Sequence, residues 1–162
     1  MCIRDSSPTQ HKMSSQGLHR NYIQRKLQQE PGFRGVVSRQ EFCRTVGPTL
    51  GSRQSVIILH QHHYTCLSLS ADMKSCFYFD PLGILTMSNQ VSQMLQSVCA
   101  DTIFYNKKSV QNTHSDKCGL FCMYFIVKNV VGSSQFQAFL DVFKPACHNN
   151  DHLVYLLLNR RI

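Results

Sequence analysis

Four residues have the types and the order needed for one reaction, attack of a thiolate on a carbonyl: His63, Asp80, Gln111 and Cys118. Cys118 lies in NTHSDKCGLFCMYFIVKNV (112–130), where a polar, turn-like run gives way to a long apolar one. Ser115 and Asp116 are suitable caps, so a helix is expected from about Cys118 to Val130. The apolar composition of GLFCMYFIV requires that helix to be buried. A buried helix would hold the thiol rigidly at its positive end, which favours the thiolate and offers backbone N–H groups to an oxyanion. The stretch alone fits two other readings. Cys118 could be a small buried hydrophobe, or half of a Cys-x-x-x-Cys metal pair with Cys122.

A nucleophilic cysteine needs a base, and the base needs an acceptor to orient it. His63 opens HYTCLSLS, and Asp80 closes SCFYFD just before a Pro-Leu-Gly turn. If the chain turns near Ala71–Lys74, residue 69 faces 74 and residue 63 faces 80, which sets the two side chains across one end of a hairpin. His60 and His62 compete for the base role, and HQHHYTC with Cys66 invites a metal reading. Adjacent strand residues point to opposite faces, and no second ligand pair has zinc-like spacing, so no metal site is expected. Gln111 stands seven residues before Cys118 in a loop that must pass the helix start, where its amide could donate to an oxyanion. Taken singly, a loop glutamine is usually only solvated.

The elements that must position these residues are legible in outline. LHRNYIQRKLQQ (18–29) places Leu18, Tyr22, Ile23 and Leu27 near one helical face and ends at Pro31-Gly32. SRQEFCRTV (38–46) opens with a capping-box pattern. SVIILH (55–60), HYTCLSLS (63–70) and SCFYFD (75–80) read as strands, and TIFYN (102–106) as a further one. Ser88 caps a helix carrying Val91, Met94, Leu95 and Val98. Two more helices are expected near 134–143 and 151–159. The order predicts an α+β fold with helices packed on a mostly antiparallel central sheet.

A chain of 162 residues, 43% of them hydrophobic, suits one domain with a substantial core. Residues 1–17 are polar and aperiodic, and are expected to form a disordered, possibly non-native leader ahead of a single domain over 18–162. No apolar run approaches the roughly 20 residues needed to cross a bilayer, and the N-terminus lacks a signal-peptide core, so a soluble intracellular monomer is expected. The eight cysteines are irregularly spaced, which favours free thiols. Of the net charge of +8, residues 1–53 carry nine Lys/Arg against three Asp/Glu, or +6, so a polyanion such as double-stranded DNA is a natural partner for this basic third.

With His63-Tyr64, FDPLG (79–83), SVQN (109–112) and DKCGLFCMYF (116–125) in that order, the chain resembles adenain, the adenovirus maturation cysteine protease, a relative of the SUMO-type proteases. PGFRGVVS (31–38) resembles a segment near the adenain N-terminus. The resemblance implies an adenain-like fold with Cys118 as nucleophile, His63 as general base and then acid, Asp80 as orienter, and Gln111 in the oxyanion hole. It also implies cleavage of viral precursor proteins at Gly-containing sites in the virion and host nucleus. No cofactor would be needed for the chemistry itself, with DNA and a viral peptide as activators, the peptide joined by a disulfide to Cys99. The acid is Asp where the family usually has Glu, and Tyr64 stands where Trp is usual. A protease for ubiquitin- or SUMO-like modifiers, or an inactive basic DNA-binding virion protein, are the other readings of the same features.

Overall fold

The computed structural model describes residues 3–7, 10–13, 18–112, 115–143 and 148–160. Its centre is a five-stranded sheet formed by β3 (Phe33–Ser38), β4 (Ser55–His60), β5 (His63–Leu69), β6 (Ser75–Phe79) and β7 (Thr102–Tyr105), in that spatial order. β4, β5 and β6 pair antiparallel, whereas β3/β4 and β6/β7 are parallel. The sheet is therefore mixed, not mostly antiparallel as the sequence suggested. The physical reason lies in the connections. The segment Arg39–Thr49 and the helix α4 (Asn89–Gln96) each carry the chain back across the sheet, so the next strand enters in the same direction.

Strands β4 to β6 are apolar on both faces because both faces are covered. Val36, Ile57, Tyr64, Cys66, Phe77 and Phe79 face one core with α1 (Arg20–Leu27), α5 (Cys118–Val127), α6 (Ser133–Asp141) and α7 (His148–Asn159). Val56, Ile58, Leu67, Leu69, Cys76 and Tyr78 face a second core with Phe42, Val46, Met94 and Leu95. The capping box at Ser38 is formed: its hydroxyl accepts from Glu41 N–H and the Glu41 carboxylate accepts from Ser38 N–H. The short α2 (Arg39–Glu41) it opens runs on through a π-helical turn, Phe42–Val46, into α3 (Gly47–Thr49).

All ten residues of α5 are buried. Phe79, Phe121, Phe125, Phe139 and Phe143 hold it in place, with Phe79 stacked on Phe125 at 5.8 Å and edge-on to Phe139 at 4.9 Å between ring centroids. Each such pair adds about 0.5–1.5 kcal/mol beyond the area it buries. Asn129, in left-handed conformation (φ 51°), stops the helix. At its start the cap is Lys117, with no side-chain hydrogen bond, rather than the expected Ser115 or Asp116. The Ser115 hydroxyl instead accepts from Lys117 N–H at 3.1 Å.

Within residues 1–17, expected to be a disordered leader, β1 (Ile3–Ser7) and β2 (Gln10–Met13) pair antiparallel as a separate ribbon. Backbone pairing of two strands does not require the apolar periodicity on which the sequence reading relied.

After β6 the chain turns through Asp80-Pro81-Leu82-Gly83, where Gly83 N–H donates to the Asp80 carbonyl at 2.8 Å. Gly83 has φ +77°, and a Cβ there would lie 2.6 Å from both the Lys107 carbonyl oxygen and the Ser109 nitrogen. Both neighbours are backbone and cannot swing away. Gly83→Ala should therefore lower unfolding free energy by about 2–4 kcal/mol, measured by urea denaturation; a loss below 1 kcal/mol would contradict this packing.

Candidate active site

His63 and Asp80 meet at one end of the sheet, with His63 Nε2 2.7 Å from Asp80 Oδ1. The register that brings them together differs from the expected one. Cys66 faces Phe79 and Leu69 faces Cys76, two residues out from a pairing of 63 with 80. The loop is moved on by one residue: Ser70 N–H donates to the Ser75 carbonyl, which leaves Ala71–Lys74 in the turn where a 69/74 pairing would leave Ser70–Met73, and Asp72 Oδ1 accepts from the Ser70 hydroxyl and Lys74 N–H. A slip of two keeps the face of every side chain. Asp80 then lies just past the ladder and reaches His63 diagonally.

Asp80 is held on several sides. Its N–H donates to Asn106 Oδ1 at 3.0 Å, and Asn106 Nδ2 donates to the Asp80 carbonyl at 2.7 Å. Leu82 N–H donates to Asp80 Oδ1 at 2.9 Å. Asn106 is buried at the end of β7. Sequence reasoning passed over it; the available signal was an asparagine closing an otherwise apolar strand, TIFYN.

Cys118 is buried at the mouth of α5, and its Sγ accepts from Tyr64 N–H at 3.4 Å. The Tyr64 hydroxyl donates to the Leu18 carbonyl at 2.6 Å, so the phenol's polar end is satisfied inside the core. Gly119 packs under α1, where a Cβ would stand 3.0 Å from Leu18 Cδ1. By strand alternation His63 belongs to the face away from α5, yet its position at the strand end brings its ring to Cys118 as well as to Asp80. Burial pulls the imidazole towards neutrality, but hydrogen bonds to Asp80 and Cys118, with the charges of both, raise its pKa to about 10.

Gln111 is buried, with its N–H donating to the Pro81 carbonyl at 3.0 Å. The turn that carries Asp80 thus also anchors Gln111. From the far side, Asn150 Nδ2 of α7 donates to the Val110 carbonyl at 2.9 Å. The Gln111 amide donates to the Ser115 carbonyl at 2.7 Å, while its Oε1 is buried without a partner among the described residues.

The chain matches no family model. A curated relative, the Protease of Snake adenovirus serotype 1, is 28% identical over 171 aligned residues, covering 85% of this chain and 82% of that protein. The chain is thus similar to an adenovirus protease over most of its length. In shape, the central domain of the uncharacterized Lpg1148 protein from Legionella pneumophila matches 79% of the chain and 85% of its own length, at TM-score 0.45 and 13% identity. That likeness is too loose to bear on function.

The other candidates lie apart from the Cys118–His63–Asp80 cluster. Cys99 is exposed just ahead of β7. Because β6 and β7 are parallel, it sits at the opposite end of the sheet from Asp80, a strand length or roughly 16 Å away. Cys122 is buried against Cys66; burial pushes both thiols up, and the two hydrogen-bond each other. His60 is pulled down by burial and by the positive Arg39 and His63, and His62 stands in the two-residue turn.

A pKa raised above the ordinary 6.5 means that charged His63 stabilises the fold fully below about pH 6.5, and that this contribution is lost as pH rises towards 10. Asp80→Asn should bring the His63 ring titration, followed by NMR, well below its wild-type midpoint and flatten stability across that window. An unchanged midpoint would mean that Asp80 does not set the charge of the ring.

Proposed function

We propose that the chain is a viral cysteine endopeptidase that cleaves precursor proteins at Gly-containing sites during particle maturation. The observation that carries this reading is the contact array Asp80–His63–Cys118 at the mouth of a buried helix, in a chain similar to an adenovirus protease over most of its length.

Asp80 holds the Nε2 side of the imidazole, which leaves Nδ1 for the thiol. His63 takes the Cys118 proton, and the resulting imidazolium lies beside the thiolate, which also accepts from Tyr64 N–H. The thiolate attacks the carbonyl after a glycine. The oxyanion forms near the Cys118 and Gly119 amides that open α5, ahead of the first helical hydrogen bond, Leu120 N–H to the Lys117 carbonyl. Gln111 joins them once its amide turns from the Ser115 carbonyl. His63 then protonates the leaving amine, and water that it activates hydrolyses the thioester.

The same reading assigns DNA to the basic N-terminal third, whose exposed helix α1 carries Arg25 and Lys26. It assigns an activating peptide to Cys99, beside the edge strand β7. The protein acts as a monomer in the virion and host nucleus.

Cys118→Ala should abolish turnover of a Gly-Gly peptide with an unchanged far-UV CD spectrum. Gln111→Ala should slow it about 10²–10³-fold, the usual effect of losing one oxyanion donor. Full turnover by Cys118→Ala would end the reading, and an unchanged rate in Gln111→Ala would remove that residue from the site.

A further inference from the structure

A groove of about 670 Å³ opens beside the β4–β5 turn, between that turn and the segment from Ser38 to Arg44. Its volume is within the range of ligand-binding clefts. Arg39, Arg44 and His60 supply its charge, and no Asp or Glu is among the residues that line it. The nearest acid in sequence, Glu41, is turned elsewhere, to Ser38 N–H at 3.5 Å and towards Arg20 at 3.9 Å. Among the described residues Arg39 donates to the neutral Gln90 amide, at 3.0 Å, which does not neutralise its charge. The depressed pKa of His60, caused first by burial and then by Arg39 and His63, reports the same positive field.

The groove adjoins the reacting centre. His60 pairs directly with His63 across the turn, and Leu59 pairs with Tyr64, whose N–H holds the Cys118 sulfur. Leu59 also lines a second cavity, of about 210 Å³, next to Tyr64 and the start of α1. The cationic groove and this second cavity thus meet at Leu59.

We infer that this groove binds an acidic stretch of the peptide substrate flanking the scissile bond, with Arg39 and Arg44 as specificity-determining residues. The inference rests on the proposed proteolysis and extends it from the glycine at the bond to the sequence beside it. A guanidinium pairs a carboxylate through two parallel hydrogen bonds, so glutamate or aspartate is selected over the isosteric amide. A peptide fits better than nucleic acid because the charges are few and local and the groove is lined by the strand partners of His63 and Tyr64.

The test uses fluorescent Gly-Gly peptides carrying two glutamates before or after the scissile bond, with glutamine isosteres as controls. Binding is read by anisotropy on the Cys118→Ala protein, and hydrolysis on the unmodified enzyme. One glutamate peptide should bind about tenfold more tightly than its isostere. Arg39→Gln should weaken this preference, Arg44→Glu should reverse it in favour of lysine, and 0.5 M salt should largely erase it. Equal binding of glutamate and glutamine peptides in both placements would overturn the inference, even if both are cleaved. Selective binding without hydrolysis by the unmodified enzyme would support the groove and overturn the protease reading alone. A short DNA duplex that displaces the glutamate peptide at lower concentration, in an Arg39- and Arg44-dependent manner, would assign the groove to nucleic acid and overturn the inference.

Discussion

Burial of α5 is the constraint on which the remaining geometry depends. A helix with no polar face has to be enclosed on every side, and here the sheet, α1, α6 and α7 enclose it. The phenylalanines that do so are also those nearest the chemistry: Phe79 precedes Asp80, and Phe121 lies one turn into the helix that Cys118 opens. Close packing of rigid rings leaves little freedom for the separation between the strand end and the helix mouth. The thiol therefore meets His63 at a position defined by core packing rather than by loop conformation.

The second constraint is polar. Asp80 and Gln111 are thirty-one residues apart in sequence, but both hang on the turn Asp80–Gly83, through the Asn106 bridge on one side and the Pro81 carbonyl on the other. A disturbance of that turn would move the orienting carboxylate and the amide donor together. Buried hydrogen bonds of this kind are costly to leave half-made, so the turn gains rigidity from having every partner present. The Gln111 amide is the exception: its Nε2 donates to the Ser115 carbonyl, and its Oε1 is buried with no partner among the described residues.

Charge is distributed with similar economy. His63 is partly sheltered from water, and shelter alone would neutralise it; Asp80 on one side and Cys118 on the other reverse that tendency. Across the two-residue turn His60 is depressed by burial first and then by the positive Arg39 and His63, with no carboxylate partner among the described residues. One hairpin thus carries two histidines with opposite tendencies, one held as a cation and the other left neutral beside an arginine-lined groove.

Periodicity and turn chemistry made most elements legible. α1, α4, β4 to β7, the Ser38 capping box and the buried helix opening at Cys118 follow from residues that interact with near neighbours in the chain. Order along the chain was enough to nominate His63, Asp80, Gln111 and Cys118 as one set, because strand ends and helix starts are recognisable locally. Strand direction was not legible: whether β7 runs with or against β6 depends on how α4 packs, a non-local choice. The hairpin register was off by two because hydrogen bonds within Ser70–Ser75 centre the four-residue turn one position later, and it did no harm only because alternation has period two. The Asn106 bridge, the tie of Gln111 to Pro81 and the Tyr64 N–H on the sulfur join residues far apart in sequence, and no local pattern encodes such pairs. The sequence by itself determined which side chains stand at element ends; packing of α5 against the sheet decided which of those ends meet, because only the folded core brings distant backbone within hydrogen-bonding reach.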